Sequence, residues 1–131
     1  MKSNNQLHYK LLWHFFGWAM VVFVVYYSLI PNPPEVMDFH GADKLEHLLA
    51  YGGLMGWFGQ LSFATRNQIY WIIGLCLMGV LLEIIQGWSG YRDFEYADMA
   101  ADATGVLLGW GVSRYWCRGW LYRFDQFMSR K

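Results

Sequence analysis

Between Leu11 and Ile30 the chain runs for 20 residues, LLWHFFGWAMVVFVVYYSLI, without an acid, a lysine or an arginine. Coiled as a helix, such a stretch covers about 30 Å, the thickness of a bilayer's hydrocarbon core. In lipid every backbone amide must find its partner inside the segment, which leaves the helix as its form. The run is long for a signal-peptide core, and Pro31, Asn32, Pro33 and Pro34 stand where a cleavage site needs small residues, so it reads as a retained anchor. The prolines end the helix and, with Gly41, mark an exposed loop.

Three further apolar stretches follow, at about 43–63, 68–87 and 96–116. The chain therefore reads as an all-α integral membrane bundle of four transmembrane helices, the first at about 11–30, within one domain over 1–131. Connections around 65–67 and 88–95 are short, which favours antiparallel neighbours. A content of 56% hydrophobic and 20% aromatic residues is too apolar for a soluble domain of this size. The zero formal charge gives no basis for nucleic-acid binding. Cys76 and Cys117 have neither a disulfide framework's spacing nor a zinc site's.

Four crossings put both termini on one side. That side holds Lys2, Lys10, Arg66, Arg114, Arg118, Arg123, Arg130 and Lys131, eight of the ten lysines and arginines, and is expected to be cytoplasmic. The opposite flank keeps Lys44 and Arg92 but nine of the ten acids, Asp125 alone falling on the basic side. The closing stretch 117–131 mixes arginines with Trp120, Leu121, Phe124 and Phe127. It reads equally as an amphipathic helix on an anionic leaflet or as a basic tail that sets topology. Gly52 with Gly56 and Gly105 with Gly109 are GxxxG pairs, expected to bring helices of one bundle together. Most tryptophans lie towards helix ends, as interfacial anchors do.

The acidic flank gathers the candidate chemistry. Asp43, His47 and Tyr51 recur every four residues and share one helix face, with Lys44 on the adjoining face. Glu83 and Gln86 are three apart in the last turn of the third helix, Asp98 and Asp102 four apart in the first turns of the fourth, and Arg92 stands in the loop between. A carboxylate within a bilayer costs a few kcal/mol, so Glu83 and Asp102 should face the bundle and find partners among Lys44, His47 and Arg92. One shared pocket is expected. The bland reading is an ion-pair network that ties three helices together; the functional reading is a site, with His47, Glu83 and Asp98 as catalytic candidates and Asp43, Lys44, Tyr51, Gln86, Arg92 and Asp102 as ligand-binding ones.

The strings YSLIP, ADKLEHLLAY, GVLLEIIQG and GYRDFEYADMAADATGVLLG resemble, in order, the motifs of the VanZ-like family of small membrane proteins, over roughly Tyr27 to Gly109. On that resemblance the family's Asp-Lys pair, His and Tyr fall on Asp43, Lys44, His47 and Tyr51. Its Glu and Gln fall on Glu83 and Gln86, its loop Arg on Arg92, and its fourth-helix Asp and Gly on Asp98 and Gly105. Asp102 stands where the family usually has an asparagine; it is expected to be protonated and to copy the amide's hydrogen bonds rather than to serve as a further metal ligand. The family takes its name from a member associated with resistance to the glycopeptide teicoplanin. The resemblance thus implies an envelope setting, in a bacterial inner membrane, without supplying a reaction.

Three functions fit these residues. The first is an enzyme or binder acting on a phosphorylated or glycosylated lipid head group, such as a lipid-linked cell-wall precursor. Arg92 and Lys44 would hold phosphate and His47 would serve as general acid or base. Glu83 with Asp98 would orient His47 or hold a divalent cation, no other cofactor being indicated. The second is a non-catalytic envelope protein that modulates precursor exposure or drug access through a partner. The third, a small transporter, is disfavoured because a proton relay needs ionisable groups along the whole crossing. The residues fix neither the ligand nor the oligomeric state.

Overall fold

The computed structural model describes residues 6–130, so Lys2 and Lys131 of the basic termini lie outside the described residues. Five helices make up the described chain: α1 (Lys10–Leu29), α2 (Ala42–Leu61), α3 (Thr65–Ser89), α4 (Tyr96–Gly111) and α5 (Trp120–Ser129). A π-helical turn, Val112–Trp116, continues α4. The fold is all-helical, as expected. Of the four expected spans, α1 and α3 are long and apolar enough to cross a membrane. Of the other two, α2 carries charges of the acidic flank in its first turns, which lowers its apolar content, and α4 is 16 residues long before its π-helical continuation. At 25 residues α3 is longer than the expected 68–87, because Thr65, Arg66 and Asn67 join its first turn and Trp88 and Ser89 its last. Gly90, at φ 78°, takes the left-handed conformation that closes it.

Helix α2 lies at the centre, with its tightest contact against α4. The two GxxxG pairs make that approach. A Cβ on Gly105 would overlap the carbonyl of Leu48, and one on Gly109 the carbonyl of Gly52, so the motif packs helices of the same chain. Around this seam the buried core comprises Tyr51, Leu54, Met55, Phe58, Leu75 and Val106. Phe58 stacks on Trp71 of α3 with centroids 3.6 Å apart.

Hydrogen bonds give the bundle two distinct ends. At one, which we call the cavity end, the close of α1 meets the close of α3 through Gln86 Nε2 donating to Ser28 O (2.8 Å) and Tyr91 Oη donating to Leu29 O (2.7 Å). The starts of α2 and α4 meet there too, through Lys44. At the other, the terminal end, Gln60 Nε2 donates to Ser113 O (3.1 Å) and Gly119 N to Gln60 Oε1 (3.1 Å). Gln68 Oε1 accepts from Trp110 Nε1 and Arg114 Nη1.

Asp125 of α5, 0% exposed, accepts from His8 N (2.6 Å), Tyr9 N (3.0 Å) and Trp13 Nε1 (2.7 Å). The closing stretch is therefore fastened to the start of α1, a contact that neither reading of it as an amphipathic or topological tail contains. Burial pushes the Asp125 carboxyl up, but the Trp13 indole and the Tyr9 and His8 amides outweigh it and hold the group below the usual carboxylate range. Trp13 was expected as an interfacial anchor and is instead buried, its indole reaching Asp125, while Trp88 and Trp116 remain exposed.

Candidate functional site

His47 occupies the centre of the cavity end. Its position one turn into α2 turns the ring towards α4, where Nδ1 lies 2.8 Å from Asp102 Oδ1 and Nε2 lies 3.7 Å from Asp98 Oδ2. The four-residue spacing of the two aspartates stacks them on one face of α4, so the imidazole sits between successive carboxylates. An asparagine carbonyl could accept from Nδ1 in the same place, so the contact suits an amide as well as an acid at this position. Gly79 of α3 makes room for it: a Cβ there would come within 2.7 Å of Asp102 Oδ2.

Lys44 points to the same helix start and is surrounded by acids. Its Nζ is 2.6 Å from Asp43 Oδ2 and 3.0 Å from Asp98 Oδ1, and it also pairs with Glu95. These three carboxylates could together surround a metal ion, but the lysine ammonium already lies among them. Lys44 is thereby engaged, and the expectation that it holds a phosphate finds no free ammonium here.

Glu83 and Gln86, three apart on α3 and expected in one shared pocket, diverge. Glu83 Oε1 accepts from Glu95 N (2.8 Å) at the start of α4, whereas Gln86 reaches α1. Glu83 thus finds a backbone amide as its partner in place of Lys44, His47 or Arg92. Its Oε2 is buried with no partner, whereas Asp98 Oδ1 lies 3.0 Å from the Lys44 ammonium. Buried polar atoms are almost always hydrogen-bonded, so the Glu83 oxygen is an exception.

In front of His47 opens a cavity of about 540 Å³. Five of the nine candidate residues line it, Asp43, His47, Tyr51, Gln86 and Arg92, while Lys44, Glu83, Asp98 and Asp102 are not part of its wall. The single pocket expected from the sequence is therefore a cavity and a charged cluster behind it, which share His47 and Asp43. Arg92 was expected among the ion-pair partners of the acids; it makes no ion pair among the described residues and borders the cavity instead. Its loop position gives it reach to the opening that a residue fixed in a helix start would lack.

The structure adds residues that spacing alone did not select. Glu95 joins Lys44 to Glu83 through its side chain and its amide. Glu46 Oε1 accepts from Met37 N (3.2 Å) and so ties the proline-rich loop to α2. Tyr27 donates to Pro34 O and fixes the other edge of that loop. The signal for Glu46 was its place beside His47 in the string ADKLEHLL, and for Tyr27 its place at the head of YSLIP.

Fold and site together define an all-helical bundle with a cavity at one end and a histidine held between carboxylates behind it. The chain matches no family model, no curated protein and no solved structure.

Proposed function

We propose that this is a VanZ-like membrane protein of the cell envelope, crossing a bacterial inner membrane four times with both termini cytoplasmic, and that its cavity receives the phosphorylated or glycosylated head group of a lipid at the outer leaflet. Support for the crossings comes from the bundle's outside. Ile69, Ile73, Leu77, Leu81 and Ile85 recur every four residues along α3 and are 45–59% exposed, a continuous apolar stripe that water would not favour and acyl chains would. On α1, Phe15, Val22, Phe23 and Tyr26 are likewise exposed. Crossings by α2 and α4 follow if the helices packed between these two share their medium.

The observation that carries the proposal is the grading of the cavity wall. Phe23, Val24, Leu49 and Ala50 form an apolar side, and Glu46, His47, Gln86 and Arg92 contribute polar groups to the same space. A volume of about 540 Å³ suits a small ligand or head group. An amphiphile could lay its chain against α1 and α2 and place its head beside His47. His47, oriented by Asp102, would then be the group able to exchange a proton with it.

The test is binding and turnover of envelope lipid intermediates by the purified protein, with His47→Ala and Glu83→Gln beside it. The proposal expects both variants to lose about tenfold or more in bound or converted lipid. Unchanged values in both would remove the site. Binding without product would assign the non-catalytic role, in which the protein holds an envelope lipid without altering it.

A further inference from the structure

We propose that the head group this cavity takes carries a primary ammonium beside its phosphate, as a zwitterionic aminophospholipid does. The inference rests on the reading of the cavity as a lipid site and names the chemistry of its ligand. The wall holds four acids, Glu35, Asp38, Asp43 and Glu46, against one guanidinium, Arg92, and one imidazole, His47. Lys44 offsets Asp43 alone among these four, its other partners being Glu95 and Asp98. Glu35 and Asp38 make no ion pair among the described residues.

An independent observation points the same way. Gln86 is 2% exposed and lines the cavity; its Nε2 is fixed on Ser28 O, and no donor reaches its Oε1 among the described residues. Beside the donors of Arg92, Tyr51 and Ser28, the wall presents the Gln86 carbonyl and the carboxylates as acceptors, and a ligand that meets these must bring donors of its own. A purely anionic head group would meet one guanidinium and three carboxylates with no lysine beside them, Glu35, Asp38 and Glu46. An ammonium supplies three N–H donors and a positive charge, and leaves Arg92 for the phosphodiester. The apolar side provided by Phe23, Val24 and Leu49 favours an acylated ligand over a free amine.

The experiment is competition by native mass spectrometry of the full chain in detergent, offering phosphatidylethanolamine, phosphatidylcholine and phosphatidylglycerol of identical acyl chains. The ethanolamine lipid should be retained about tenfold over the glycerol lipid and also over the choline lipid, whose quaternary nitrogen has no N–H to donate. The double variant Glu35→Gln/Asp38→Asn should shrink that preference to about twofold, and both positions are exposed loop residues whose amides leave the fold intact. Free phosphoethanolamine at the same concentration should displace none of the lipid. Equal retention of the three lipids, preference for the glycerol lipid, or a double variant that keeps the full preference would overturn the ammonium assignment while leaving lipid binding in place. Displacement by free phosphoethanolamine would overturn the acylated source. Retention of none of the lipids would instead remove the lipid site itself, and this inference with it.

Discussion

The two ends of the bundle treat buried polar groups in opposite ways. At the terminal end Gln60, Gln68 and Asp125, each under 5% exposed, are held by hydrogen bonds to backbone or side-chain partners. At the cavity end Glu83 is as deeply buried, yet it leaves one oxygen without a partner, and Asp98 relies on the ammonium of Lys44. A satisfied network rigidifies and specifies a fold, while an unsatisfied one keeps a cost that folding alone would have removed. Burial alone therefore does not distinguish the two ends; satisfaction of the buried atoms does. The terminal end fastens helices, and the cavity end leaves Glu83 Oε2 without a partner among the described residues.

The largest effect should come from removing the acceptor at the terminal end. Asp125→Ala leaves three donors without it and should lower stability by about 3 kcal/mol in detergent unfolding, without changing lipid selectivity. If selectivity changed as much as stability, the two ends would be coupled and the comparison would fail. Next is Lys44→Met, which strips the cation from Asp43, Glu95 and Asp98. It should cost about 2 kcal/mol, discounted because the lysine side chain is 32% exposed, and adding Asp98→Asn should recover part of that loss in a double-mutant cycle.

Glu83→Gln sharpens the contrast because its sign is reversed. Replacing a buried carboxylate that has one unpartnered oxygen by a neutral amide should raise stability by about 1 kcal/mol while lipid binding falls. A fall in both would make Glu83 a structural group like Asp125. The smallest effect is one of pH. Because the Asp125 carboxyl is held below its unfolded value, its contribution is fully present above about pH 4 and is lost as pH falls through the lower folded value. Asp125→Asn should flatten that acid limb of the stability profile, and an unaltered limb would assign it to other carboxylates.

Much of this was legible from spacing. The four-residue recurrence of Asp43, His47 and Tyr51 and of Asp98 and Asp102 placed the right groups on the right helix faces, and the sidedness of charge collected them at one end. What spacing could not supply was helix rotation. Three residues separate Glu83 from Gln86, which puts them on neighbouring rows, but α1 and α4 lie on either side of that edge and draw them apart. Loop geometry was equally hidden. Arg92 and Glu95 are close in sequence, yet one borders the cavity and the other joins the carboxylates around Lys44. Asp125 stood out in the sequence as the lone acid on the basic side, but its partners lie more than a hundred residues away and no local pattern announces them.

That separation carries a consequence for assembly. His8 leaves the ribosome 117 residues before the carboxylate that will accept its amide proton. The opening of the first helix therefore stays unfastened until α5 has been made, and a chain broken off ahead of α5 keeps that end loose. The fifth helix is the clasp that closes the first.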